Sequence, residues 1–181
     1  MSKSYPVIGC CGIECGLCPR FYTEGSSKCP GCGGESFEKL HPACSFKTCC
    51  ADKRKLEVCS QYAEFPCRKF EDRSKIERDS FVRHKRIFIN HEMIKSGGLK
   101  KFIFGLGEHI SVLRQALEYY DDGRSKSFYC IAAALLSQAA LHSALSEASG
   151  IEGDNKAKAK ALRALLTGCA RSENVELKLI K

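Results

Sequence analysis

Cys11-Gly-Ile-Glu-Cys15-Gly-Leu-Cys18, followed ten residues later by Cys29-Pro-Gly-Cys32, is the stretch that decides how this chain folds. It holds two C-x2-C pairs, Cys15/Cys18 and Cys29/Cys32. A C-x2-C turn folds back tightly enough to aim both thiolates at one point, and its amides can bond to sulfur. Two such turns supply the four sulfurs that a tetrahedral Zn²⁺ takes at about 2.3 Å. The spacing predicts that Cys15, Cys18, Cys29 and Cys32 hold one metal.

Working outward, eleven of the thirteen cysteines fall between Cys10 and Cys67. Cys44, Cys49, Cys50, Cys59 and Cys67 are spaced more loosely, yet they offer four ligands for a second site. Neighbouring cysteines rarely reach one ion through a normal peptide, so one of Cys49 and Cys50 is read as spare, and the same holds for Cys10 and Cys11. His41 could replace a sulfur, but ahead of Pro42 it reads as a loop residue. A disulfide framework is the rival. Met1 to Pro6 is short and polar with no apolar core behind it, so it is not a secretory signal. The expected compartment is the cytoplasm, where reduced thiols favour metal over disulfides.

Cys11, Cys15 and Cys18 also read C-x3-C-x2-C. That spacing resembles the [4Fe–4S] motif of radical S-adenosylmethionine enzymes, and Gly33-Gly34-Glu35 resembles their methionine-binding Gly-Gly-Glu. Those enzymes place a strand and a helix of a large α/β barrel between the two elements. Here only fourteen residues intervene, and they include another C-x2-C. Zinc is therefore the first expectation, and a [4Fe–4S] cluster in an iron–sulfur or radical enzyme is the alternative, with Cys11 as an alternative ligand.

The 181 residues suffice for one good core or two small domains. No apolar run approaches the roughly 20 residues needed to cross a membrane. The formal charge of +8 favours acidic partners, nucleic acid included. Two tetrathiolate metal sites, each net −2, would lower that to about +4, so nucleic acid is only weakly indicated. Cys10 to about Phe70 has little periodicity and much Gly and Pro. Such a segment cannot bury enough apolar surface to offset its ordering entropy, and metal is the expected staple.

From about Ser74 helical spacing takes over. Helices are expected at Phe81 to Ser96, ended by Gly97-Gly98, and along Leu99, Phe102, Ile103, Leu106, Ile110, Leu113, Leu117 and Tyr120, which share a face. Further helices are expected after Ser125 or Ser127, after Ser137, and over Lys156 to Ala170. Short helices are expected at Phe37 to His41 and Asp52 to Val58. Tyr5 to Ile8 and Val175 to Ile180 read as short strands. The expected fold is mainly α: an irregular metal-knuckle domain over 1–72, packed on a small α-helical domain over 73–181. Arg124, Lys126 and Ser127 lie between the Gly123 turn and a helix start, where free amides attract anions. They are candidate anion or partner contacts, set against ordinary capping. His84 and His91, seven apart, read as one helix face, which with Arg83, Lys85 and Arg86 could be a basic, phosphate-binding one; two solvated or core histidines are the favoured account. Cys130 reads as a small buried apolar residue.

Cys11-Gly-x-x-Cys15-x-x-Cys18-Pro19, Cys29-Pro-Gly-Cys32 and Phe65-Pro66-Cys67 together resemble domain-of-unknown-function family 3795. This is a cysteine-rich bacterial and archaeal family for which zinc binding has been suggested. Tyr120-Asp-Asp-Gly-Arg124-Ser-Lys126-Ser-Phe-Tyr-Cys130, followed by Ala-Ala-x-Leu-Leu136, resembles a second segment of its longer members. The resemblance implies zinc and marks the Asp121–Cys130 stretch as a site, but it implies no settled activity. Members often carry C-x2-C just before the Pro-Cys. Here Tyr62 stands at the second position, Cys59-Ser-Gln-Tyr62, which leaves the second metal set incomplete. The reading is a zinc-binding structural or interaction module that recognises a protein or an anionic partner.

Overall fold

The computed structural model describes residues 3–181, and the fold is mainly α, with no strand among the described residues. The chain forms two compact units, residues 1–105 with 180–181, and residues 106–179.

Unit 1 starts as a run of tight turns. Single 3₁₀ turns cover Cys15–Leu17, Pro19–Tyr22, Gly25–Ser27 and Cys59–Gln61. Two short helices, α1 (Phe37–Leu40) and α2 (Ser45–Lys47), lead into a π-helical turn at Thr48–Lys53. The expected Asp52–Val58 helix is displaced to this turn, which brings Cys49 and Cys50 onto it. Glycine is required at Gly31, where φ is +79° and a Cβ would stand 2.2 Å from the Pro6 carbonyl. The Lys47 amine ties α1 to the π turn by bonding Glu38 at 2.8 Å and Asp52 at 3.0 Å.

Two longer helices complete this unit, α3 (Arg68–Ser74) and α4 (Arg86–Gly97). Cysteines and apolar side chains share one core: Cys10, Cys11, Cys32 and Cys50 pack with Phe46, Phe70 and Ile87. Phe70 and Ile87, on either side of the composition break near Ser74, belong to this one core. Helix α4 starts later than Phe81. The buried carboxylate of Asp79 accepts from the His84 amide at 2.7 Å, which holds residues 79–84 in a turn. His84 thus precedes α4 and shares no helix face with His91, and both histidines are buried. Gly98, at φ +83°, ends α4 as the Gly pair predicts.

Helix α5 (Leu99–Tyr119) runs across the division between the units. Space is open around Gly105 and Gly107, so close packing does not explain them. Unit 2 continues with α6 (Lys126–Leu135), α7 (Gln138–Ser149) and α8 (Asn155–Ser172). Ser137 caps α7 by accepting from the Ala140 amide, and Asp154 caps α8 by accepting from the Ala157 amide. Leu113, Tyr129, Ala132, Leu141, Leu162 and Leu166 are buried and line one minute internal void. The Tyr129 hydroxyl donates to the Tyr120 carbonyl at 2.9 Å.

Neither expected strand forms. Tyr5–Ile8 closes a turn through the Ile8 amide and the Tyr5 carbonyl. Val175–Ile180 has no strand to pair with; instead the Ile180 backbone exchanges two 2.8 Å hydrogen bonds with Asp79, one to its amide and one to its carboxylate. Among the described residues no helix is long and apolar enough to cross a membrane.

Candidate metal centre

All thirteen cysteines are free thiols. The two C-x2-C pairs are electrostatic neighbours: Cys15 faces Cys32 and Cys29, and Cys18 faces Cys29. Burial holds the Cys15 thiol well above the ordinary value, and the charges of Cys32 and Cys11 add to that. Burial also raises Cys18, while the amides of Arg20 and Phe21 in the following turn pull the other way. Those amides do what a knuckle requires, because they stabilise a sulfur anion.

Cys10 lies between the predicted sets. Its sulfur is 3.7 Å from that of Cys32, and its amide faces the same sulfur at 3.4 Å. Four sulfurs at about 2.3 Å around one ion stand about 3.8 Å apart, so this pair already has the edge length of a zinc tetrahedron. Cys10 also touches Cys50, and Cys50 touches Cys59. The Cys32 thiol's hydrogen bond lowers the pKa of Cys10, but the Cys50 contact and burial outweigh it and push Cys10 up to about 12. Cys50 is likewise pulled down by Cys10 and pushed up by Cys59 and burial, reaching about 12. Contact with Cys10, then burial, raises Cys32. The buried Lys3 ammonium lowers all three. It donates to the Ile8 carbonyl at 2.7 Å and stands where excess thiolate charge would collect.

Among the described residues no three His, Cys, Asp or Glu side chains are gathered so as to hold a metal ion. The sulfurs touch in pairs and chains without converging on one point. Of the second predicted set, Cys49, Cys50, Cys59 and Cys67 line one cavity of about 310 Å³, together with Tyr62 and Arg54. Cys44 does not line it and neighbours Cys11, whose thiol burial pushes up to about 11. The Arg54 guanidinium donates to the Cys49 sulfur at 2.9 Å and lies over the Tyr62 ring, 4.3 Å from its centre. His41 stacks on Phe37 and turns Nδ1 to the Pro42 carbonyl, as a loop residue would.

Helix α4 fixes the loop that carries Cys10, Cys11 and Cys15. Arg86 clasps the buried Glu14 with two bonds of 2.6 and 3.2 Å, and Asn90 donates to the Gly12 carbonyl at 2.9 Å. Gly12 has φ +87°, and a Cβ there would meet His91 Nε2 at 2.8 Å. His91 lies against Phe65 and Phe70, with neither ring nitrogen in a full hydrogen bond. Burial lowers its pKa to about 4, so the ring is neutral at pH 7. The sequence reading gave no role to Lys3, Glu14 and Asn90, treated one of Cys10 and Cys11 as spare, and set Arg86 in a basic face, not against Glu14. Periodicity could not reveal them, since their roles come from contacts across as many as 78 residues.

In unit 2 the Asp121 and Asp122 carboxylates accept from the Gly123 and Arg124 amides, each at 3.0 Å. The Ser125 hydroxyl and the Arg124 amide hold Asp122 below its ordinary value. An internal anion thus stands at the start of α6, beside exposed Arg124 and Ser127 and half-buried Lys126. Cys130 is buried, as its apolar reading requires. No known family's sequence profile, no curated protein and no solved structure matches this chain.

Proposed function

We propose that unit 1 is a structural zinc module, with Cys15, Cys18, Cys29 and Cys32 holding the ion, and that the protein serves to recognise another protein or an anionic partner. One observation carries the reading. The Cys15, Cys18 and Cys32 thiols are desolvated, none of the four is in a disulfide, Cys15 stands near Cys32 and Cys29 and Cys18 near Cys29, and the Arg20 and Phe21 amides are already turned to Cys18. Desolvated neighbouring thiols resist ionisation unless a cation joins them, and a divalent metal displaces their protons as it binds. Zinc then draws the sulfurs inward from pairwise contact, with Lys3 offsetting part of the net −2 of a tetrathiolate site. The iron–sulfur alternative built on Cys11, Cys15 and Cys18 in a radical enzyme needs a strand-rich barrel, and the described residues hold no strand.

Cys15→Ser tests the module. The full chain, purified and weighed for metal, should lose about one zinc, the content of one four-thiolate site, and melt earlier. Unchanged zinc with an unchanged melt would sink the assignment.

A further inference from the structure

The cavity of about 310 Å³ beside the π-helical turn grades from apolar to charged. Phe46 is buried and Leu56 and Phe65 are half-buried, whereas Arg54, Arg68 and Lys69 are exposed. The apolar wall therefore lies inside and the cations stand at the mouth. The cysteines here form no ligand set. The Cys50 thiol turns to the Leu56 carbonyl at 3.3 Å and is held against Cys10 and Cys59. In such a wall sulfur acts as soft apolar surface. At roughly 30 Å³ per water in the liquid, the space equals about ten waters. That is the lower end of small-molecule sites, which are concave, mainly apolar and carry a few placed polar groups.

The charges of the lining do not balance. Arg54, Arg68 and Lys69 meet one carboxylate, Glu64. Glu64 acts on Arg54, which leaves Arg68 and Lys69 uncompensated within the lining. Arg54 is held in place: its Nη1 donates to the Cys49 sulfur at 2.9 Å, and the guanidinium lies over the Tyr62 ring. A guanidinium carries five N–H donors in a rigid fork, so donors remain for a carboxylate. Pinned in this way, it loses little freedom when it binds one. Phe46, Phe65 and Tyr62 offer aromatic surface, which pairs with another ring edge-to-face or offset.

From this geometry we infer that the cavity binds a small aromatic carboxylate, its ring against Phe46 and Phe65 and its charge at Arg54, Arg68 and Lys69. The site lies outside the zinc set and uses none of those four cysteines. The test titrates the full chain with 2-naphthoate by calorimetry, with zinc measured on the same sample. About one naphthoate per chain is expected, the content of one such cavity. 2-Naphthylmethanol keeps the rings without the charge, and acetate keeps the charge without the rings. The alcohol should bind about tenfold more weakly, the loss of one charge-assisted hydrogen bond. Acetate should bind at least about tenfold more weakly, for want of buried ring surface. Arg68→Gln combined with Lys69→Gln, both exposed, should weaken naphthoate about tenfold and leave the alcohol unchanged. Naphthoate at about ten times its Kd should slow iodoacetamide alkylation of Cys49 about tenfold and leave Cys169 in unit 2 unchanged, as read by peptide mass spectrometry. That measurement uses the unsubstituted chain, so it stands even where a variant does not fold. No binding, an alcohol that binds as tightly as naphthoate, an unmoved affinity in the double variant, or an unprotected Cys49 would each overturn the inference. A zinc-loaded chain that does not bind overturns this site alone, and a zinc-free chain that binds overturns the zinc assignment alone.

Discussion

At the scale of single residues, unit 1 is held by polar groups that no pattern rule foresees. Glu14 is buried, its side chain 7 % exposed, and Arg86 is its ionic partner. Removing one partner of such a pair strands a charge, so Arg86→Met should cost about 3–5 kcal/mol in a urea melt. Adding Glu14→Gln should restore part of that loss, and strictly additive effects would show that the pair is not coupled. Tyr129 is a purely structural counterpart in unit 2. Burial pushes its phenol up to about 12. The unfolded tyrosine loses its proton near pH 10, while the native one keeps it to about 12. Above pH 10 the native state therefore binds more protons, and stability falls as pH rises. Tyr129→Phe lacks this dependence. Its deficit at pH 7, about 1 kcal/mol from the lost hydrogen bond, should shrink between pH 10 and 12. A deficit constant with pH would contradict the assigned burial.

Elements were legible wherever periodicity or capping chemistry was strong. The one-sided run from Leu99 became α5, the Gly pair ended α4, and the Ser137 cap stands where the sequence places it. The start of α4 and the last strand were not legible, for one reason. Asp79, a charged residue in an unremarkable stretch, captures both His84 and Ile180. Its choice of partners depends on residues far along the chain. Cysteine spacing showed which pairs are neighbours, but not that Cys10 bridges the sets or that Cys44 turns to Cys11. Those relations depend on the path between turns. At α8 the local chemistry is self-contained. The Asp154 carboxylate meets the Ala157 amide at 2.8 Å, so Asp154→Ala should lower stability by about 1 kcal/mol. A urea midpoint within error of the parent would contradict that cap.

At the scale of the whole chain the two units are built around different cores. Unit 2 buries an apolar core of its own, whereas unit 1 is irregular and rich in thiols. Chelation of the proposed zinc should strip amide-exchange protection from residues 3–105 and leave it over 106–179, as read by hydrogen exchange and mass spectrometry. Uniform loss, or none, would argue against a metal-dependent unit 1. The Asp79–Ile180 clasp has a consequence for synthesis. Its two halves lie 101 residues apart, and every residue of unit 2 is translated between them. A ribosome thus finishes unit 2 before it makes the partner that Asp79 awaits. During that interval the nascent thiols of unit 1 are already outside the tunnel, open to whatever metal, reductant or chaperone reaches them first. The clasp cannot close until all of unit 2 has been made.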